Sequence, residues 1–327
     1  MTDTPLIPLA ILTGFLGSGK TTLLNRLLKD PDMAETAVLI NELGEIGIDH
    51  LIVDAVDDDI VLLESGCVCC SVRDDFTAAL LSLHHKRSEG LIPAFDLVVL
   101  ETTGVADPAA ILQTMMEDPL ICERYCHGPV ITVIDACYAG ENLAAQPEAR
   151  SQLMLADRLV LAKADLVEAG QRDELAGRLR ASNHLAPLLD AATVAPRTLF
   201  APLTPRDMLA RLDQARSAAG TPAVQAVQAG FGGHTSQYST FHIGWETPVP
   251  RSALETWLEG LLFARGDDIL RIKGVVNLAG EARPVLLQSV RQSLYQPAFL
   301  SRWPAGRPRT DLVMIARHFT KTAALNS

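Results

Sequence analysis

The segment Gly14-Phe15-Leu16-Gly17-Ser18-Gly19-Lys20-Thr21 constrains this chain more than any other. It follows the apolar run Leu9–Thr13 and precedes a stretch in which Leu23, Leu24, Leu27 and Leu28 fall on one helical stripe. The pattern G-x-x-x-x-G-K-[ST] between a strand and a helix predicts a phosphate-binding loop. Its glycines let successive backbone N–H groups turn toward phosphate oxygens, and the helix N-terminus adds partial positive charge. Gly14, Gly17, Ser18, Gly19, Lys20, Thr21 and Thr22 are the expected nucleotide contacts. Lys20 would reach the β- and γ-phosphates, and the Thr21 hydroxyl would sit on Mg²⁺.

Two later strand ends extend the site. Asp96–Glu101 reads as a buried strand closed by an acid, with Thr102-Thr103-Gly104 after it. A carboxylate there serves the magnesium shell, and Gly104 would sense the γ-phosphate. Lys20, Thr21 and Glu101 are the expected catalytic residues. The base-reading N-K-x-D pattern is present as Ala162-Lys163-Ala164-Asp165. Asp165 can accept from the N1–H and N2–H₂ edge of guanine, which adenine does not offer, and Lys163 can lie along the base. The missing Asn weakens the preference for GTP over ATP without removing it.

Short runs rich in Val, Ile and Leu recur at Leu9–Thr13, Ala37–Asn41, Ile60–Leu63, Asp96–Glu101, Val130–Asp135 and Arg158–Lys163, with turns or helix-compatible stretches between them. This alternation predicts an α/β domain of the P-loop NTPase type over residues 1 to about 215, a mostly parallel sheet with helices on both faces. Residues 216–235, rich in Gly, Ala and Pro without an apolar period, read as a linker. From 236 to 327 the strand-like Tyr238–Trp245, Ile269–Leu278, Arg283–Ser289 and Thr310–His318 surround the amphipathic Pro250–Arg265, which predicts a smaller α+β domain.

Asn41-Glu42-Leu43-Gly44-Glu45 lies where a P-loop protein carries its first switch, and Gly66-Cys67-Val68-Cys69-Cys70 follows the Ile60–Leu63 run. Three thiols in four residues offer soft ligands that favour Zn²⁺, Cu⁺ or Co²⁺-like ions. The spacing does not suit a structural zinc knot, which uses two separated pairs, so an open, exchangeable site is expected. Cys67, Cys69 and Cys70 are the expected ligands, with Glu42 as the fourth. A helix would put Cys122 and Cys126 on one face with His127 adjacent, which could form a second metal site, but buried small residues explain them more simply. His84 and His85 are expected on a solvated helix face, and His234 stands alone in the linker.

A formal net charge of -11 argues against nucleic acid or a membrane surface as the main partner. Met1-Thr2-Asp3-Thr4-Pro5 has no basic leader, and the apolar runs fall far short of the about 20 residues a membrane span needs, so a cytoplasmic protein is expected.

Taken together, Gly14–Thr22, Asn41-Glu42-Leu43-Gly44, Gly66-Cys67-Val68-Cys69-Cys70 and Glu101-Thr102-Thr103-Gly104 resemble the CobW-like GTPases, a metallochaperone branch of the P-loop GTPases. Leu270-Arg271-Ile272-Lys273-Gly274-Val275-Val276 and Trp303 look like that family's C-terminal domain, so the resemblance covers nearly the whole chain. It implies hydrolysis of GTP to GDP and phosphate, coupled to delivery of Zn²⁺ or Co²⁺ to a client metalloprotein or a metal-cofactor pathway. It also implies metal on the cysteine motif and on Glu42. Ala162 departs from the family's base-reading motif, and the linker lacks a histidine-rich tract. Intrinsic turnover is expected to be slow, since no arginine finger is identifiable. The alternative is a P-loop small-molecule kinase with incidental cysteines. The choice among zinc, cobalt, iron and nickel, and the oligomeric state, stay open.

Overall fold

The computed structural model describes residues 5–41, 60–63, 71–202, 238–295, 297–300, 303, 308–317 and 324, with the backbone path alone at 41, 60–63 and 71–75. Glu42, Cys67, Cys69, Cys70, His234 and the expected linker 216–235 lie outside the described residues. The chain divides into two compact units. One comprises Met1–Leu175 and Leu188–Pro202, the other Ala176–Pro187 and Leu203–Ser327.

In the first unit, β1 (Ile7–Thr13) leads through the glycine loop into α1 (Lys20–Leu27), then β2 (Thr36–Asn41), β3 (Ile60–Leu63) and α2 (Ser71–Ser88). There follow β4 (Leu97–Glu101), α3 (Pro108–Glu117), α4 (Pro119–Cys122), β5 (Tyr125–Asp135), α5 (Ala139–Ala145), α6 (Pro147–Leu155) and β6 (Arg158–Ala162). After α7 (Ala169–Ser182) come β7 (Leu188–Asp190) and α8 (Pro196–Phe200). The strands form a seven-stranded sheet in the order β3-β2-β4-β1-β5-β6-β7, and every pairing is parallel. This is the P-loop NTPase fold that the strand–helix alternation predicts. β5 begins five residues earlier than its apolar core suggests, because Tyr125-Cys126-His127 pairs with β1 although it is not apolar throughout.

Sheet periodicity explains the layers. Ala10 and Leu12 face α1, whose Leu23, Leu24 and Leu27 are buried against Val99, Ile131, Val133 and Val160. Leu9 and Ile11, alternating with them, are buried on the opposite face. Each such leucine contributes about 1.5–3 kcal/mol by leaving water. Strands sealed on both faces read as continuous apolar runs, which is why the sheet is legible in the sequence.

The second unit carries β8 (Tyr238–Trp245), α9 (Arg251–Arg265), β9 (Ile269–Val276), β10 (Val285–Val290), β11 (Ser293–Leu294), β12 (Ala298–Phe299) and β13 (Thr310–Arg317). They make an antiparallel sheet in the order β11-β10-β9-β13-β8, with β12 paired to β10. Leu254, Leu258, Leu261 and Leu262 of α9 recur at helical spacing and pack on Ile243, Ile272, Val276, Leu312 and Met314. Trp257 donates its Nε1–H to the Ala324 carbonyl at 2.9 Å, and its ring meets Trp245 edge-on at 5.7 Å. On the other sheet face Leu185 and Trp303 pack against Val275, Leu286 and Val313. No described helix is long and apolar enough to cross a membrane.

One irregularity in the first sheet bears on the site. The β1–β5 register shifts between Leu9 and Ile11, whose partners are His127 and Val130, so β5 bulges. Gly128 makes this possible: a Cβ there would come within 2.8 Å of the Leu9 carbonyl carbon and oxygen. Gly128→Ala is expected to destabilise the protein by about 1–3 kcal/mol through overpacking. A lowered thermal midpoint by circular dichroism would check this; an unchanged midpoint would mean that the bulge relaxes at no cost.

Candidate functional site

The carboxyl ends of β1, β4, β5 and β6 lie side by side, and each ends in a residue that the loop chemistry uses. In parallel sheets this edge is where ligands bind. Gly14 follows β1 with φ +145°, and a Cβ there would collide with the Val133 carbonyl of the neighbouring strand. The loop therefore seats on β5 only because residue 14 has no side chain. Gly19 precedes α1 in the left-handed region (φ 94°), and no side chain caps the helix. The first amides of α1 thus have no side-chain acceptor, which is what an anion site needs.

Lys20 is buried, with 8% exposure, and donates to the Gly14 carbonyl at 2.9 Å and the Phe15 carbonyl at 3.4 Å. Burial lowers its pKa, and the Glu101 carboxylate pulls it part-way back. The ammonium is folded over the loop that a phosphate would enter. The Thr21 hydroxyl donates to Glu101 Oε1 at 2.5 Å, across 80 residues of sequence, and Glu101 is 4% exposed. Ser18 Oγ is buried and has no hydrogen-bond partner among the described residues. An orphan hydroxyl, a buried ammonium and a hydroxyl–carboxylate pair form a donor set that fits phosphate oxygens and a hard cation. Thr22 is exposed on the outer side of α1.

The β4 exit is tied to β1 and to the loop. Thr102 N–H donates to the Leu12 carbonyl at 3.0 Å, and its hydroxyl donates to Thr13 Oγ1 at 2.9 Å. Gly104 presses on the glycine loop, since a Cβ there would lie 2.5 Å from Leu16 N and 2.7 Å from its Cα. Any side chain at 104 would push the two loops apart.

Lys163 sits just past β6 in a left-handed conformation, φ 56°. Its Nζ donates to the Gly17 carbonyl at 2.8 Å and to Asp135 Oδ2 at 2.7 Å. Asp135 ends β5 at 6% exposure, and its Oδ1 accepts the Cys137 N–H at 2.8 Å. The Ala162 Cβ lies 3.8 Å from where a Cβ on Gly19 would stand, so the base-motif strand abuts the phosphate loop without an Asn side chain. Asp165 lies on the following exposed turn.

The structure thus brings together Gly14, Gly17, Ser18, Gly19, Lys20, Thr21, Glu101, Gly104 and Lys163, with Asp165 at the rim. Asp135 and Gln152, which support the site, were not among the residues singled out in the sequence. Asp135 carries the signal that marked Glu101, an acid closing an apolar run. Gln152 carries none.

The shared helix face expected for Cys122 and Cys126 is corrected. Cys122 ends α4, but Cys126 belongs to β5, so the two do not share a helix face. Cys122 Sγ donates to the Met115 carbonyl at 3.0 Å, and Cys126 Sγ to the Leu6 carbonyl at 3.7 Å. Burial pushes both thiols up, and Asp118 pushes Cys122 further. Protonated, carbonyl-bonded thiols are poor ligands. Among the described residues no group of three or more His, Cys, Asp or Glu is placed to hold a metal. His85 is exposed on α2, as expected, whereas His84 is half-buried and packs edge-on against Tyr125 at 6.1 Å.

Residues 8–190 match the family model of the CobW/HypB/UreG nucleotide-binding domain, and residues 238–327 match that of the cobalamin synthesis protein cobW C-terminal domain. The chain belongs to the CobW family. This CobW-family chain is 33% identical over 309 residues to the zinc chaperone YjiA of Escherichia coli, covering 94% of one and 93% of the other. It is 29% identical to the zinc chaperone CobW of Pseudomonas aeruginosa, covering 98% and 90%. The crystal structure of Zn(II)-bound YjiA GTPase superposes with a TM-score of 0.68 at 27% identity over 99% of each chain. A Zn(II)-bound triple mutant of YjiA gives 0.69 at 26% identity over the same share.

If Asp135 holds Lys163 in place, Asp135→Ala should weaken GDP binding about tenfold, the scale of a charge-assisted hydrogen bond. A nucleotide titration of the variant checks this, and unchanged affinity would show that the Gly17 carbonyl alone positions Lys163.

Proposed function

We propose that this chain is a GTP-hydrolysing metallochaperone that binds a transition metal, zinc before cobalt, at Cys67, Cys69, Cys70 and Glu42 and delivers it to a client protein. The observation that carries the reading is where the strands end. β2 lies between β3 and β4: Asn41 is the register partner of Leu63, and Ile40 that of Glu101. The chain enters the Glu42 segment from the end of β2, and the cysteine segment from the end of β3. The first therefore starts beside β4, the strand that delivers Glu101 to Thr21, and the second one strand further out.

In this reading the Lys20 ammonium leaves the Gly14 and Phe15 carbonyls for the β- and γ-phosphates. Thr21 and Glu101 would hold the magnesium shell, and magnesium would supply the charge that neutralises the phosphate oxygens. The Gly104 N–H meets the γ-phosphate, Asp165 takes the guanine edge, and Lys163 lies along the base. Water attacks the γ-phosphorus and the bond to the β–γ bridging oxygen breaks, leaving GDP and phosphate. Bound triphosphate raises the affinity of Glu42, Cys67, Cys69 and Cys70 for the metal, and hydrolysis lowers it. Such coupling is typically about 1–3 kcal/mol, enough to turn a holder into a donor.

The relatives named zinc chaperones support zinc as the cargo. The YjiA triple mutant, which replaces one glutamate and two cysteines by alanine, is nevertheless Zn(II)-bound in its crystal. Occupancy by itself therefore does not report on a cysteine site, and affinities must be compared.

The nucleotide half of the proposal is tested by phosphate release from GTP in plain buffer, with no acceptor molecule. Slow, magnesium-dependent release that disappears in Lys20→Ala is expected. Release only on addition of a small-molecule acceptor would contradict the proposal and identify a phosphotransferase.

A further inference from the structure

Gln152 lies on α6, takes no part in the proposed chemistry itself, and has no exposed surface. Its Nε2 donates both protons to the loop after β4, to the Gly104 carbonyl at 3.1 Å and the Ala106 carbonyl at 3.0 Å. Its backbone carbonyl accepts the buried Thr132 hydroxyl at 2.8 Å, which fixes the residue to β5. The adjacent Ser151 hydroxyl reaches Asp107 Oδ1 at 3.4 Å, and Asp107 caps α3 by accepting the Ala109 N–H at 3.0 Å. Two neighbouring residues of α6 thus hold both ends of the 104–107 turn. On its other side Gly104 is pressed against the Leu16 backbone of the phosphate loop.

The same amide has an unused half. Gln152 Oε1 is buried and has no hydrogen-bond partner among the described residues. A buried carbonyl oxygen without a donor is uncommon and calls for a physical reason. An amide with both donors engaged on one loop and its acceptor idle beside it suits an element with two arrangements.

We propose that Gln152 is the positioning residue for the γ-phosphate-sensing loop. Its Nε2 holds the Gly104 and Ala106 carbonyls in the arrangement seen here, and its Oε1 accepts a backbone N–H of that loop when the Gly104 peptide turns to meet a bound triphosphate. The inference rests on the GTPase reading above and adds to it the residue that distinguishes tri- from diphosphate. Gln152 does not touch nucleotide. It acts through Gly104, so its loss should spare the diphosphate, which the 14–21 loop holds.

The test uses the full chain and two variants. Gln152→Met keeps the side-chain volume and removes both donors and the acceptor. Affinities are measured for Mg·GDP and for a non-hydrolysable Mg·GTP analogue, together with single-turnover GTP hydrolysis. The expected result is GDP affinity within about twofold of wild type, with analogue affinity and the hydrolysis rate each lowered about tenfold. A purely structural role would lower both affinities together, and that result, or no change in either, overturns the inference. Gln152→Glu supplies an independent readout, and decides the matter if the Met variant does not fold. As a carboxylate it keeps the acceptor that the triphosphate arrangement uses and loses both donors, whereas as an acid it regains one donor, so its preference for analogue over GDP should fall relative to wild type as pH falls. A flat pH profile overturns the inference. A wild-type chain that binds neither nucleotide overturns the GTPase reading and this inference with it, whereas a wild-type chain that discriminates and variants that discriminate equally overturn this inference alone.

Discussion

A phosphate loop turns backbone N–H groups outward to meet phosphate oxygens, and it keeps that shape only if the surrounding structure holds it open. Here three strand exits do so. β5 receives Gly14 against the Val133 carbonyl, the turn after β4 wedges Gly104 against Leu16, and Lys163 beyond β6 ties down the Gly17 carbonyl. Two of the contacts work only because a side chain is missing. The third uses a buried acid, Asp135, to aim a lysine whose other partner is a backbone oxygen. Lys20, Thr21 and Glu101 take their positions from this frame.

Much of the fold was legible because parallel strands sealed on both faces must be apolar throughout. Leu97–Glu101 and Arg158–Ala162 stand out for that reason, and α1 is marked by its leucine stripe. What escaped was what depends on partners distant in the chain. β7 is three residues long and only half-buried, so no apolar run announces it. The first residues of β5 pair with β1 through a bulge that a single glycine permits, and local periodicity does not encode a register shift. Cys126 lies on a strand, with Tyr125 and His127 on either side of it paired to Ile7 and Leu9 of β1.

In the site, the residues that carry a motif were readable, and those that brace them were not. Glycine, lysine and threonine at fixed spacing follow from phosphate chemistry. Gln152 follows only from where α6 happens to pass under the 104–107 turn. Ala162 shows the converse. A residue expected to be polar is small, and the strand still reaches the phosphate loop because Lys163 and Asp135 connect the two through a longer path. The cysteine segment and Glu42 are readable as chemistry, and the strand ends that lead into them are adjacent in the sheet.

The central claim is that nucleotide and metal sites are coupled across β4, β2 and β3. A chelator-competition titration of Zn²⁺ against the full chain, nucleotide-free, with a Mg·GTP analogue and with Mg·GDP, tests it most directly. The account predicts tighter zinc binding in the triphosphate state, and loss of that difference when Cys67, Cys69 and Cys70 are replaced together. Equal zinc affinity in all three states would contradict it.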